Sequence, residues 1–118
     1  MNFLKSIFGG GGSGVTSVNA ADAKARLDSS TPPYIIDVRQ PDEFKSGHLQ
    51  NAHLIPLNEL ESRLNEVPKD REILCVCQSG SRSSAASRFL AGAGYTVLNL
   101  SGGMIGWQMA RLPVKKGK

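Results

Sequence analysis

Short apolar, β-branched runs alternate with segments in which apolar residues recur every three or four positions, from Val15 to Met109. Val15–Val18 reads as a weak strand. Asn19 is placed to cap a helix whose Ala20, Ala23 and Leu27 share a face, with Asp22 three residues beyond the cap. Ser29–Pro33 breaks the chain, and the apolar run Tyr34–Val38 follows as a buried strand. Pro41–Phe44 fits the first turn of a short helix, where proline's missing N–H costs nothing. His53–Pro56 predicts a brief strand. Leu57, Leu60, Leu64 and Val67 recur at i, i+3, i+7 and i+10, which predicts one helix with a buried face. Glu59 and Arg63 form an exposed i, i+4 pair on that helix. Ile73–Cys77 is a continuous apolar run of central-strand type. Ala86, Phe89, Leu90 and Ala93 mark a further helix, running from about Ser83 to a stop at Gly94 in the left-handed region. Thr96–Leu100 is a strand, Ser101–Gly103 a turn and Met104–Met109 a last short helix. This alternation, with short connections, predicts an α/β domain around a mainly parallel sheet.

Composition bounds the reading. At 118 residues the chain forms one domain. Its 40% hydrophobic and 20% charged residues are ordinary for a soluble globular protein and exclude disorder, collagen and coiled coil. No apolar run approaches the roughly 18 residues of a membrane helix. The net charge of +4 comes largely from Lys115, Lys116 and Lys118, a short solvated basic tail over residues 113–118. A nucleic-acid partner is not expected, since that would need a basic patch with a motif. Residues 1–14 form a flexible N-terminal segment ending in the glycine-rich linker GGGGSG. No strand precedes that linker and no Lys-Ser/Thr follows it, so it is not a phosphate loop. Met1–Phe8 is read as a frayed terminus in preference to an amphipathic foot. It lacks the apolar core of a secretory signal. The folded unit is residues 15–112. Cys75 and Cys77 stand at i and i+2 of a strand, a spacing that suits a disulfide poorly. Two unpaired thiols fit a reducing compartment, and the cytoplasm is the expected location.

The most informative stretch runs from Ile73 to Leu90. A buried strand ends at Cys77, a tight loop follows and a helix begins. Ligands of parallel α/β sheets bind beyond the carboxyl ends of the strands. At that place the backbone N–H groups of residues 78 to 83 lack intrahelical partners and are free to point inward. The helix dipole adds partial positive charge and Arg82 a full one. All three favour thiolate over thiol, so a depressed Cys77 pKa is expected. Gly80 supplies dihedrals that a side chain would forbid. Ser79, Ser81 and Ser83 add hydroxyl donors beside Gln78, and the loop carries no carboxylate to repel an anion. Such a cradle suits phosphoryl transfer through a phosphocysteine or sulfur transfer through a persulfide.

Three spaced motifs resemble the rhodanese family. Tyr34-Ile-Ile-Asp-Val-Arg39, with Asp42-Glu43-Phe44, Gly47-His48-Leu49, Ala52 and Ile55-Pro56, is similar to its first signature. Cys77-Gln-Ser-Gly-Ser-Arg-Ser83 is similar to the active-site loop. Gly94-Tyr95, Leu100, Gly102-Gly103 and Trp107 resemble the closing motif. The resemblance covers about residues 15–112. It implies a rhodanese-like fold, with a central, mainly parallel five-stranded sheet flanked by helices on both faces. It implies a sulfurtransferase of the thiosulfate:cyanide type, with Cys77 as nucleophile and Arg82 as the loop arginine. Gln78, Ser79, Gly80, Ser81 and Ser83 then cradle the persulfide. The partners implied are a small sulfur-containing anion or thiol, or a protein persulfide donor or acceptor. No metal or organic cofactor is needed, and a monomer is the simplest assembly. The alternatives are a persulfide carrier or interaction module with little turnover, and a cysteine-dependent phosphatase or arsenate reductase. Four residues separate Cys77 from Arg82, one fewer than in the phosphatases the family is related to, which favours sulfur.

The remaining polar residues have simpler readings. Asp37, Arg39 and Glu43 form a structural network that fixes the loop after the strand, in preference to a catalytic triad. His48 holds the turn after Gly47 by a local hydrogen bond; a general base is superfluous for a thiolate that is already ionised. Asn51 stands where the family usually has glycine, and tolerates positive φ. Cys75 packs in the core, in preference to resolving Cys77 or binding metal with it. Trp107 anchors the C-terminal helix.

Overall fold

A computed structural model describes residues 14–118; of the N-terminal segment expected over residues 1–14, all but Gly14 lies outside the described residues. Five parallel strands form one sheet in the order β1-β5-β4-β2-β3. They are β1 (Val15–Val18), β2 (Tyr34–Asp37), β3 (His53–Leu54), β4 (Ile73–Val76) and β5 (Val97–Leu100). The four helices are α1 (Ala20–Leu27), α2 (Pro41–Ser46), α3 (Ser81–Gly92) and α4 (Gly103–Met109). Every residue of β4 is buried, as a central strand of a doubly covered sheet requires. On one face Ile36, Ile73, Cys75 and Val97 pack under Ala86 and Leu90 of α3. On the other Ile35, Leu74, Leu98 and Leu100 pack against Ala23 of α1 and Met104 and Trp107 of α4. Among the described residues, no helix is long and apolar enough to cross a membrane.

The caps follow the sequence. Asn19 Oδ1 accepts the Asp22 N–H at 2.8 Å, and Gly94 takes φ +99° just past the end of α3. Asn51 adopts φ +70°, the conformation its side chain tolerates. Trp107 Nε1 donates to the Pro113 carbonyl at 2.8 Å, which makes the indole an anchor.

The helix expected across Leu57–Val67 does not form. Two 3-10 turns, Leu57–Glu59 and Leu64–Glu66, stand there with an irregular turn between them. Most N–H groups reach back three residues, as from Leu60 to the Leu57 carbonyl at 3.2 Å and from Val67 to Leu64 at 3.0 Å. Leu57 with Leu60 and Leu64 with Val67 are each i, i+3 pairs, and 3-10 geometry eclipses that spacing. The apolar periodicity therefore marks two short turns, while Asn58, Ser62 and Asn65 favour turn over helix. The Glu59–Arg63 pair survives at 2.9 Å, and Arg63 also bonds Glu66 at 2.9 Å.

Two further boundaries move, both beside the loop after Cys77. The fourth strand stops at Val76, not Cys77, because the Cys77 carbonyl accepts from Met104 N–H at 2.8 Å and leaves the sheet ladder. Helix α3 starts at Ser81, not Ser83, since Gly80 at φ +109° turns the chain and its carbonyl accepts the Ser84 N–H at 3.0 Å. The lysine side chains of the C-terminal tail are exposed as expected, but its backbone is pinned. His48 and Lys115 exchange two backbone hydrogen bonds, at 2.9 and 2.8 Å, and Gly117 N–H reaches the Lys45 carbonyl at 2.9 Å.

Candidate active site

Cys77 is the first residue beyond β4, and its sulfur faces the start of α3. The Gly80 N–H donates to Sγ at 3.0 Å. The thiol donates to Ser83 Oγ at 3.4 Å, and that hydroxyl donates to the Gly80 carbonyl at 3.1 Å. On ionisation the Ser83 hydroxyl can turn and donate to the sulfur instead. Burial is the largest influence on this thiol and by itself raises its pKa. The Ser83 hydroxyl and the backbone N–H groups of Ser83, Gly80 and Ser79 together outweigh it, so the pKa falls below the ordinary thiol value. The residue is 0% exposed.

Two successive backbone carbonyls at the start of the loop are held by α4. Met104 N–H takes the Cys77 carbonyl at 2.8 Å, and Ile105 N–H takes that of Gln78 at 3.1 Å. This close approach needs Gly103, at φ +55°: a Cβ there would lie 2.4 Å from the Cys77 oxygen and 2.6 Å from the Gln78 carbonyl carbon. The Gly102-Gly103 pair after a strand was the signal for it, though nothing in the sequence tied that turn to Cys77.

The charged residues divide into two pairs. Asp37 and Arg39 are 0% and 2% exposed; Arg39 Nη2 lies 2.8 Å from Asp37 Oδ2, and the Arg39 backbone N–H donates to Asp37 Oδ1 at 3.1 Å. Arg39 also donates to the Gly47 carbonyl at 2.8 Å and to Gln78 Oε1 at 3.0 Å, which ties the loop after β2 to the loop after β4. The Gln78 side chain is thus turned to Arg39 and not to the sulfur. Glu43, four residues after Arg39, pairs elsewhere. Its carboxylate takes both terminal nitrogens of Arg82, each at 2.8 Å. This contact holds the Glu43 carboxyl down at about 2. Arg82, expected to lend the sulfur a full positive charge, gives both terminal nitrogens to Glu43. Spacing along the chain favoured a Glu43–Arg39 pairing, and only the fold reveals a partner from another element.

His48 Nδ1 lies 2.7 Å from the Phe44 carbonyl, and its ring stacks on Phe44 at 3.6 Å between centroids. Ser79 and Ser81 are exposed on the rim of the loop. Among the described residues no group of three or more His, Cys, Asp or Glu is arranged to hold a metal ion. A groove of about 860 Å³ lies elsewhere, lined by Tyr34, Leu49, His53 and Trp107 among others, and none of residues 77–83 borders it.

A thiol at the carboxyl edge of a parallel sheet, ringed by donors from the next helix, defines a class of cysteine-dependent group-transfer domains. A family model described as the Rhodanese-like domain matches residues 19–110, and the chain belongs to that family. It is similar to a sulfurtransferase of Allochromatium vinosum, 35% identical over 101 residues that cover 85% of this chain and 94% of the relative. It is similar also to the thiosulfate sulfurtransferase GlpE of Vibrio cholerae, 27% identical across 83% of this chain and 91% of that one. The crystal structure of a rhodanese-related protein from Thermoplasma volcanium matches with TM-score 0.78 at 32% identity, covering 85% of this chain and 97% of that chain.

Proposed function

We propose that this protein is a sulfurtransferase that carries sulfane sulfur as a persulfide on Cys77. One observation carries the reading: the Gly80 N–H donates to Cys77 Sγ at 3.0 Å from a loop that opens directly into α3. The thiolate attacks the outer sulfur of a donor, an S–S bond forms to Cys77, and the donor's own bond to that sulfur breaks. Thiosulfate leaves as sulfite; an organic hydropersulfide leaves as a thiolate. An acceptor then takes the outer sulfur: cyanide becomes thiocyanate, a thiolate becomes a persulfide, and Cys77 returns as thiolate.

The chain's own residues have separate parts in this scheme. Cys77 is the nucleophile. The N–H groups of Ser79, Gly80 and Ser83 and the Ser83 hydroxyl stabilise negative charge on sulfur, first on the thiolate and then on the persulfide. The exposed rim of Ser79 and Ser81 faces the incoming donor. Arg82 sets the charge of the rim through its partner Glu43. Asp37 and Arg39 fix the loop through Gln78. The test is intact-protein mass spectrometry after thiosulfate or a hydropersulfide, beside Cys77→Ala. A gain of one sulfur atom in wild type and none in the variant is expected; no gain in wild type from either donor would falsify the reading. Steady-state thiocyanate formation then separates an enzyme from a carrier that loads but does not turn over.

A further inference from the structure

Two guanidinium groups reach the loop around Cys77, and each arrives with a carboxylate attached. Arg39 is held by Asp37, and Arg82 by Glu43. Ionisation of Cys77 therefore leaves this cluster with a net negative charge. That balance distinguishes two donors that deliver the same atom. Thiosulfate brings two negative charges to the thiolate and must leave as the sulfite dianion. An organic hydropersulfide with an uncharged remainder brings at most one and leaves as a thiolate. Hydrogen-bond donors of the cradle serve both, so the cation at the rim decides between them.

Resting on the sulfur-transfer reading, we infer that Glu43 sets the donor preference: by neutralising Arg82 it turns the site toward organic hydropersulfides and away from thiosulfate. The two transfers balance alike. In one, Cys77–S⁻ and R–S–SH give Cys77–S–SH and R–S⁻; in the other, Cys77–S⁻ and S–SO₃²⁻ give Cys77–S–S⁻ and SO₃²⁻. Glu43 is a positioning residue, since it touches Arg82 and not the sulfur.

Glu43→Gln tests this with little disturbance to the fold. Glu43 Oε1 also accepts the Gln40 N–H at 2.9 Å, a capping box that glutamine fulfils as well as glutamate. The substitution keeps that cap, removes the charge and frees Arg82. kcat and KM are measured for thiosulfate and for the hydropersulfide of 2-mercaptoethanol, whose remainder is uncharged, in wild type, Glu43→Gln, the charge-retaining Glu43→Asp, and the double variant Glu43→Gln with Arg82→Gln. The ratio of kcat/KM for thiosulfate to that for the hydropersulfide is expected to rise roughly tenfold in Glu43→Gln, mainly through a lower thiosulfate KM. The gain should shrink at high ionic strength. Glu43→Asp should hold the wild-type ratio, and the double variant should lose the gain. If Glu43→Gln lowers both rates together, or leaves the ratio where it was, the inference is overturned while sulfur transfer stands. If wild type loads sulfur from neither donor, the sulfur-transfer reading fails and takes the inference with it.

Discussion

Cys75 lies in the middle of β4, paired across the sheet with Ile36 and Asn99. Cys77 lies one step beyond the end of the same strand, and both side chains belong to the same apolar face. Both are fully buried and both thiols are free. Burial pushes the Cys75 thiol up to about 12, whereas the Cys77 thiol falls below its ordinary value. Neither has exposed surface, but Cys75 lies deep within the sheet and Cys77 near its edge, so depth and the supply of donors together separate them. Inside the sheet the backbone N–H groups are taken by neighbouring strands, so little remains to stabilise a thiolate. Past the edge, the turn at Gly80 and the opening of α3 release N–H groups with no other acceptor. A strand end facing a helix start thus favours the thiolate of a residue type that elsewhere in this sheet is packing.

The largest expected effect is on labelling. In native protein at neutral pH, iodoacetamide should modify Cys77 more than about a thousandfold faster than Cys75, since reactivity follows the thiolate fraction. Because the Cys77 pKa is lowered, its rate should reach half its plateau below pH 9.0, and should fall as pH drops through that midpoint. The Cys75 rate should still be climbing near pH 12. Peptide mass mapping across the pH range checks both, and similar rates at the two positions would erase the contrast.

Gly103→Ala attacks the arrangement that sets Cys77 apart. The new methyl group meets the Cys77 and Gln78 carbonyls at 2.4–2.6 Å in a residue already at φ +55°. A loss of about 3 kcal/mol in urea unfolding is expected, along with loss of sulfur loading. A variant of wild-type stability would mean that α4 does not clamp the loop.

Ser83→Ala removes one donor from the sulfur and leaves the backbone cradle in place. The Cys77 midpoint should rise by about one pH unit, worth about 1.4 kcal/mol of thiolate stabilisation. The pH profile of iodoacetamide labelling reads this directly. An unmoved midpoint would assign the whole effect to the backbone.

Much of this contrast was legible in the residue order. The parallel sheet, the strand leading to Cys77 and the small-residue loop after it are local patterns, as are the caps at Asn19 and Gly94. The pairing of Asp37 with the Arg39 backbone lies within two residues. What the residue order concealed is contact between elements. Glu43 meets Arg82, Gln78 meets Arg39, and Gly103 closes on Cys77, each across an interval that only the crossovers of the sheet bridge. The segment Leu57–Val67 misled for a different reason: its spacing satisfies two 3-10 turns as well as one helix, and the outcome depends on how Leu60 and Val67 enter the core. The C-terminal lysines misled by their charge, which reports side chains and is silent about the backbone bonds at Lys115 and Gly117.

Cys75→Ala carries the smallest effect and sharpens the comparison from the inert side. Removing one buried sulfur from a packed strand leaves a small void, and about 1 kcal/mol of stability should be lost. The electrostatic coupling of the two thiols acts only when both are ionised, and near neutral pH Cys75 is neutral. Its removal therefore takes no charge from the neighbourhood of Cys77. Sulfur loading and the pH midpoint of Cys77 should stay at their wild-type values. A resolving thiol behaves otherwise: without it, a persulfide on Cys77 would persist where wild type loses sulfur to an internal disulfide. Following the added mass over time in the two proteins decides the point, and a longer-lived persulfide in Cys75→Ala would make Cys75 a participant rather than core packing.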